Sequence, residues 1–226
     1  MKTFLKKNWR WLCALYVFIY LPWFFYLERT ITMSHPDMHI MNGAIDDLIP
    51  FCEYFIIPYI MWFFYVILSC VFMLFKAGDK EFLRFALSLI IGMSIAMFIC
   101  TIYPNGLTLR PGYIPDNLCG KIIKGLYGID TSTNVFPSVH VYNSLAVHIA
   151  LNKCEALKKH NVIRACSLVL CILICMSTVL LKQHAVSDVF GAIILMAVLY
   201  VALYVIDYSK LFKRASHKEL EENSVM

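Results

Sequence analysis

The sequence predicts an all-α polytopic membrane protein, a bundle of six transmembrane helices that forms a single domain over residues 1–226. Composition is the first reason. Hydrophobic residues make up 60% of the chain and charged residues 15%, against roughly 45–50% and about 25% in soluble domains. The second reason is that the apolar residues form long runs without the alternation of a membrane β-barrel. Backbone groups in lipid must pair within their own segment, so these runs are predicted to be helices.

Six apolar runs define the predicted spans. In chain order they are residues 11–27, 50–75, 85–103, 137–151, 165–181 and 189–206. A membrane-spanning helix needs roughly 17–25 residues. Five runs meet or nearly meet that length. The fourth is shorter and polar at its start, so it spans only if its polar end faces protein or water.

The charges in and around the runs support this assignment. The first run is uncharged and follows a basic segment, as in a signal peptide, but it is long, aromatic and lacks a small-residue cleavage site. We therefore expect a retained span. The second run carries only Glu53, and the third, fifth and sixth runs carry no charged residue.

Lys and Arg residues lie mainly in alternate connections, which predicts the orientation of the bundle. One side carries 15 of these residues and the other side carries 5. The first group is Lys2, Lys6, Lys7, Arg10, Lys76, Lys80, Arg84, Lys153, Lys158, Lys159, Arg164, Lys210, Lys213, Arg214 and Lys218. The second group is Arg29, Arg110, Lys121, Lys124 and Lys182. Cytoplasmic loops are enriched in these cations, so both termini are predicted to be cytoplasmic, and we expect a multi-pass protein of a bacterial plasma membrane.

Charge and cysteine usage exclude two other classes of protein. The net charge of +5 comes from scattered basic residues, which argues against a nucleic-acid partner. The nine cysteines are an odd number and lie mostly within apolar runs, which argues against a disulfide scaffold. Membrane lipids are the expected surroundings, and the sequence leaves the oligomeric state open.

Polar residues interrupt the apolar pattern in three groups. They lie at residues 103–111 after the third span, 136–140 at the start of the fourth, and 177–188 between the fifth and sixth. The predicted topology puts all three groups at the non-cytoplasmic face. Such a convergence of polar groups at one depth of a bundle predicts a functional site there.

His184 and Asp188 form the first chemical pattern of this site. They are four residues apart and therefore share one helix face at the start of the sixth span. A carboxylate that accepts from one imidazole nitrogen leaves the other nitrogen as an oriented lone pair. His184 is therefore a candidate nucleophile, and Asp188 is the group that orients it.

A second pattern predicts an anion pocket at the start of the fourth span. Pro137 suits the first turn of a helix, and the exposed N–H groups after it, with the Ser138 hydroxyl, would bind an anion. His140, one turn further, is placed to protonate a leaving oxygen. Arg110 offers a planar fork to a phosphoryl group, and Lys182 offers a point charge.

The first outer loop contains a weaker candidate site. His35, Asp37 and His39 are potential metal ligands, but Pro36 interrupts any regular helix and no fourth ligand is apparent. We expect neither a metal nor a cofactor.

The spacing of these residues resembles the type 2 phosphatidic acid phosphatase superfamily. That family has three motifs: lysine, six residues and Arg-Pro; Pro-Ser-Gly-His; and Ser-Arg, five residues, His, three residues and Asp. Their spacing and order match the sequence in full. The matching segments are Tyr103 to Arg110-Pro111, Pro137-Ser138-Val139-His140, and Ser177-Thr178 to His184 and Asp188.

The resemblance implies a mechanism for phosphoryl transfer. The phosphate would lie among Arg110, Lys182, Ser138 and the N–H groups that open the fourth span. His184 would attack phosphorus to form a phosphohistidine, and His140 would protonate the leaving oxygen. Tyr103, Val139 and Thr178 occupy phosphate-binding positions where the family has lysine, glycine and arginine, and Lys182 is the candidate replacement for one missing cation.

The sequence leaves three functions open. The first is a phosphatase that acts on an amphiphilic lipid phosphate. The second is a lipid phosphotransferase similar to sphingolipid synthases, which passes the group to an alcohol. The third is a non-enzymatic membrane protein that binds or transports a ligand. The segment 118–127 is either an interfacial helix that guides the lipid inward or an ordinary connector.

Overall fold

The computed structural model describes residues 2–206 and is mainly helical. The cations of the predicted C-terminal tail (Lys210, Lys213, Arg214 and Lys218) lie outside the described residues. The helices are α1 (Lys2–Ala14), α2 (Val17–Thr30), α3 (Ala44–Asp47), α4 (Ile56–Lys76), α5 (Asp79–Ile102), α6 (Leu118–Ile129), α7 (Val139–Lys153), α8 (Asn161–Leu180) and α9 (Val186–Tyr200). Short 3₁₀ turns occur at Glu53–Phe55 and Glu155–Leu157, and a π-helical turn at Val201–Val205 extends α9.

Helix α7 lies at the centre of the bundle. It packs against α4, α5, α8 and α9, and most of its side chains are buried. A central helix surrounded by protein can carry polar residues on several faces without exposing them to lipid. This explains why α7 lacks the uniform apolar character of the outer helices.

Five helical segments are long and apolar enough to cross a membrane. They are Asn8–Thr30, Glu53–Lys76, Asp79–Ile102, Asn161–Leu180 and Val186–Val205. They correspond to five of the predicted spans, with shifted limits. Helix α7, which covers the predicted fourth span, has only 15 residues and is not among these segments. The six-span count therefore stays a prediction that depends on α7 crossing inside the bundle.

The first span is interrupted near its start. Helix α1 ends at Ala14 and α2 begins at Val17, with a short turn between them. Pro22 lies inside α2, where it removes a backbone donor from the helix ladder.

One end of the bundle gathers the loops that carry many of the predicted cytoplasmic cations. Arg10 donates to the carbonyl oxygens of Leu74 and Ala77 at the end of α4 and pairs with Asp79 at the start of α5. Glu81 accepts the backbone N–H of Glu155 after α7, 2.9 Å away. The start of the chain, the α4–α5 turn and the α7–α8 loop therefore meet at this end.

The opposite end carries a small platform of loops. Strands β1 (His39–Ile40) and β2 (Asn105–Gly106) pair in parallel, with His39 opposite Asn105. The buried Asn105 side chain accepts the backbone N–H groups of Val135 and Phe136, each at 2.8 Å. These bonds fix the segment that leads into α7 and therefore position the start of that helix.

Helix α6 lies on the same platform. The Asn117 side chain caps its first turn by accepting from the Gly120 N–H at 2.8 Å. Ile123 is fully buried beside Ile56 and Tyr59 of the α4 region, whereas Leu118 remains 75% exposed. The helix thus packs one side on the bundle and leaves apolar surface uncovered, as both the interfacial helix and the connector interpretation allow.

Candidate active site

The turn between α8 and α9 brings His184 against Asp188. The Nδ1 atom of His184 lies 3.4 Å from Oδ2 of Asp188, and Asp188 is fully buried. The same carboxylate accepts the Ala185 N–H at 2.8 Å and thereby caps the start of α9. The contact that the four-residue spacing predicts is present, although His184 precedes the first turn of the helix. With the proton on Nδ1, the Nε2 lone pair points away from Asp188.

His140 faces the free side of the His184 ring. Its Nδ1 atom lies 3.3 Å from Nε2 of His184. The His140 ring contacts two aromatic rings of α4, with centroids 4.6 Å away for Tyr59 and 4.4 Å away for Trp62. Two imidazoles from distant parts of the chain therefore meet at one point, and one of them is backed by a carboxylate.

Ser138 is the N-cap of α7, and its hydroxyl accepts the Val141 N–H at 3.3 Å. Its own N–H donates to the carbonyl oxygen of Asp188 at 3.2 Å. Pro137 precedes the cap, so the prediction that it lies in the first helical turn is wrong. The first-turn N–H groups of Val139 and His140 have no intrahelical acceptor. These two N–H groups belong to His140 and to the residue before it.

Arg110 is linked by a hydrogen bond to Gln183, the residue that precedes His184. Its guanidinium donates to Gln183 Oε1 at 3.0 Å and to the carbonyl oxygens of Tyr127 and Asp130 at 2.9 and 2.5 Å. It also stacks 4.1 Å from the Tyr127 ring centroid. Burial lowers the pKa of Arg110 from its ordinary value, and the neighbouring Tyr127 and Asp130 oppose that shift. These hydrogen-bond acceptors are neutral oxygens, so the positive charge of Arg110 is not paired with a carboxylate through these bonds.

Lys182 does not point toward the histidines. Its ammonium donates to the carbonyl oxygens of Asp46 and Ile49 at 2.6 and 2.5 Å, and the side chain is buried. The residue therefore ties the α8–α9 turn to the outer loop around α3. The structure gives Lys182 a role different from the predicted phosphate contact.

The side chains of Tyr103 and Thr178 have partners other than the two histidine rings. The Tyr103 ring stacks on His39 with centroids 3.9 Å apart. The Thr178 hydroxyl donates to the Cys175 carbonyl oxygen within α8. Thr178 nevertheless contributes through its backbone, because its carbonyl oxygen accepts the His184 N–H at 3.0 Å.

The loop with the weaker metal candidate has a different arrangement. His35 Nδ1 accepts the Asp37 N–H at 3.2 Å, and His39 Nδ1 lies 3.1 Å from the Pro104 carbonyl oxygen. Within residues 2–206, no group of three His, Cys, Asp or Glu side chains is arranged to hold a metal ion.

A cavity of about 710 Å³ leads to the two histidines. Most of its wall is apolar and comes from helices α1, α2, α4 and α5. Representative members of this wall are Phe24, Trp62, Val66, Leu89 and Met93. The polar lining includes Glu28, Asp130, Asn134, Asn143, Gln183, His140 and His184. Of these residues other than the histidines, only Gln183 lies in one of the polar groups that the sequence analysis identified.

The comparison with known families agrees with this arrangement. The family model of the PAP2 superfamily matches residues 82–211, which contain most of α5, all of α6 to α9 and all three motifs. No curated protein matches the chain. The model covers more than half of the sequence, and its match includes both histidines and Asp188. The chain therefore belongs to the PAP2 superfamily, the type 2 phosphatidic acid phosphatase superfamily.

Proposed function

We propose that the protein is an integral membrane lipid-phosphate phosphatase that hydrolyses a phosphomonoester or pyrophosphate through a phosphohistidine. Membership of the PAP2 superfamily supports phosphatase or phosphotransferase chemistry in general. One observation carries the finer proposal. The paired histidines, with Asp188 behind one of them, line a cavity whose wall is mostly apolar.

The histidine pair accounts for both halves of the reaction. Nε2 of His184 forms a bond to phosphorus while the bond from phosphorus to the lipid oxygen breaks, and Asp188 stabilises the imidazolium. A proton from His140 goes to the leaving oxygen. His140 then takes a proton from water, the new oxygen–phosphorus bond forms, and the nitrogen–phosphorus bond breaks. Phosphate leaves and His184 is restored.

Substrate binding must open the space between the two rings. Their nitrogens are 3.3 Å apart, which leaves no room for a phosphoryl group between them. His140 rests on Tyr59 and Trp62 without a hydrogen bond to either ring. We therefore expect the His140 side chain to move while His184, held by Asp188, stays in place.

The charge of the transferred group would be stabilised by Arg110 and the first-turn N–H groups of α7. Helix N-termini favour anions because their N–H groups are unpaired and the helix dipole is positive there. Arg110 donates to Gln183 Oε1 at 3.0 Å, and Gln183 directly precedes His184 in the chain. Ser138 contributes by fixing the start of the helix, because its hydroxyl is the cap.

The apolar wall supports a lipid as the substrate. A hydrocarbon chain can lie against aromatic and aliphatic side chains as it lies against other lipid tails, without leaving apolar surroundings. We further propose that the site faces the non-cytoplasmic side, since it lies at the end opposite the basic connections around Arg10 and Glu155.

Phosphate release by the purified protein tests this function. Mixed micelles of phosphatidate or of a polyprenyl pyrophosphate would serve as substrates, and His184→Ala should abolish turnover. The matched control is His160→Ala, because His160 is exposed in the α7–α8 loop. Brief reaction with a ³²P-labelled substrate should trap label on His184.

The same assay separates the alternatives. Transfer of label to an added lipid alcohol in preference to water would make the protein a phosphotransferase. Full activity of His184→Ala, or label on another residue, would contradict the mechanism. No turnover with any lipid phosphate, together with tight binding of one, would favour a non-enzymatic binding or transport protein.

A further inference from the structure

A second cavity lies at the end of the bundle opposite the candidate active site. It is a groove of about 690 Å³ between α7, α8 and α9. Lys153 at the end of α7 and Arg164 near the start of α8 both line it, so it lies beside the α7–α8 loop. The step from His140 to Lys153 along α7 is about 20 Å. The groove and the cavity that leads to the histidines are lined by different residues.

The lining of the groove combines apolar side chains with two cations. The apolar members are Leu145, Ile149, Ile193, Met196, Ala197 and Val201. Lys153 and Arg164 are the cations, and no carboxylate of residues 2–206 belongs to the lining. Ile193 lies in the middle of the last candidate span and is exposed. The groove therefore opens sideways, toward the lipid that surrounds the bundle.

A chain of neutral hydrogen-bonding groups holds Arg164 in the groove. Its Nε atom donates to Asn152 Oδ1 at 2.5 Å, and its Nη1 atom donates to Asn161 Oδ1 at 3.5 Å. The Asn152 Nδ2 atom lies 3.4 Å from His148 Nε2, and His148 Nδ1 lies 3.0 Å from the Ser167 hydroxyl. The Asn152 amide thus presents its oxygen to Arg164 and its nitrogen to His148. The guanidinium is oriented by groups that leave its charge unneutralised.

Lys153 is the second unneutralised cation. Its Nζ atom lies 5.2 Å from the Tyr200 ring centroid, and this cation–π contact brings no opposite charge. Within the described part of the chain, neither Lys153 nor Arg164 forms an ion pair with a carboxylate. Two like charges in one groove repel each other, and an anion bound between them would remove that repulsion.

These features together fit a membrane lipid with a negatively charged headgroup. Phosphate oxygens accept from the planar fork of an arginine and from a lysine ammonium. The apolar lining can lie against an acyl chain as another lipid tail would. Basic pockets between helices on the cytoplasmic side of a membrane bind anionic headgroups. A free phosphate would contact the cations but leave the apolar lining unused, whereas a phospholipid occupies both.

We propose that this groove binds an anionic phospholipid from the leaflet next to the α7–α8 loop. The headgroup phosphate lies on Arg164 and Lys153, and an acyl chain runs along Ile149 and Ile193. The lipid is a bound ligand that spans α7, α8 and α9 and is not a substrate. Because it contacts three helices of the folded bundle, it stabilises the fold by mass action.

Lipid binding to the purified protein tests this site. Native mass spectrometry would compare phosphatidylglycerol with phosphatidylcholine of the same acyl chains, so that only the headgroup differs. The wild type should bind phosphatidylglycerol at least about tenfold more tightly, because both cations attract its net negative charge. The double variant Lys153→Gln and Arg164→Gln should bring the two Kd values to within about twofold of each other.

A matched double variant shows whether the groove or the general charge of this end is responsible. Lys158→Gln with Lys159→Gln removes the same charge from exposed positions of the α7–α8 loop that do not line the groove. This control should keep the preference of the wild type. Lys153→Gln alone, at an exposed position, should lower the preference and gives the answer if the double variant does not fold.

Four outcomes would overturn the inference. They are equal Kd values for the two lipids in the wild type, an unchanged preference in the groove variants, an equal loss of preference in the control, and equally tight binding of glycerophosphoglycerol. The last compound is the headgroup without acyl chains, and its tight binding would show a site for a soluble anion.

Discussion

Lys182 shows how a residue beside the nucleophile in sequence takes a different role in the fold. The motif spacing puts it two residues before His184, and a phosphate contact follows if its side chain turns inward. Its ammonium instead donates to two carbonyl oxygens around α3. Those carbonyls lie 133 or more residues away in sequence, so no local pattern connects them to Lys182.

Because Lys182 has this structural role, we expect Lys182→Met to lower the stability of the fold more than it lowers kcat/KM. The substitution keeps the apolar stem but leaves the Asp46 and Ile49 carbonyls without their donor. Loss of a buried donor costs about 1–3 kcal/mol, so the midpoint of thermal unfolding in detergent should fall. Lys121→Met, an exposed position on α6, is the matched control. An unchanged midpoint together with a large loss of kcat/KM would instead place the ammonium on the phosphate.

At the level of helices, the contact between α5 and α7 positions His140. Tyr142 on α7 donates to the Ser88 carbonyl oxygen on α5 at 2.7 Å, and its ring lies directly over Gly92. The glycine is required because a Cβ atom at this position would overlap the Tyr142 ring. Close approach of the two helices therefore depends on Gly92, which faces Tyr142, two positions after His140 on α7.

Gly92→Ala is expected to destabilise the protein although alanine is the better helix former. Overlap with Tyr142 forces α5 and α7 apart, and such overpacking costs about 1–3 kcal/mol. Gly125→Ala on α6 is the control, because a Cβ there has open space and should stabilise the helix by up to about 1 kcal/mol. Thermal unfolding of the two variants measures the difference. Equal midpoints would show that the helices separate without cost.

For the whole molecule, the distribution of loops gives the bundle two distinct ends. The α4–α5 turn and the α7–α8 loop meet Arg10 and Glu81 at one end. The platform of β1, β2 and α6 lies at the other, with the candidate active site beneath it. If the positive-inside rule holds for this chain, the platform is the non-cytoplasmic end.

Labelling of introduced cysteines tests this orientation. Asp116→Cys lies before α6 and Lys159→Cys lies in the α7–α8 loop, and both positions are exposed. An impermeant thiol reagent added outside the cell should modify Asp116→Cys at once and Lys159→Cys only after permeabilisation. The unsubstituted protein provides the background from its own cysteines. The reverse pattern would place the site on the cytoplasmic face.

The sequence by itself determined the class of protein and the candidate side chains for the reaction. Long apolar runs have no alternative to helices in lipid, so five candidate spans agree with the predicted runs. The contact between His184 and Asp188 is also predictable from local sequence. The two residues are four positions apart, and the helix that begins between them brings their side chains together. The family match confirms the resemblance on which the remaining predictions rest.

Only the tertiary structure decided what surrounds those side chains. The contact of His140 with His184, the position of Arg110 behind Gln183 and the engagement of Lys182 join residues more than 40 positions apart. Lys153 and Arg164 were visible as predicted cytoplasmic cations, but the groove that they share became apparent only once α7, α8 and α9 were placed. Hydrogen bonds and unfilled space depend on packing between distant segments, and one-dimensional spacing carries no record of that packing.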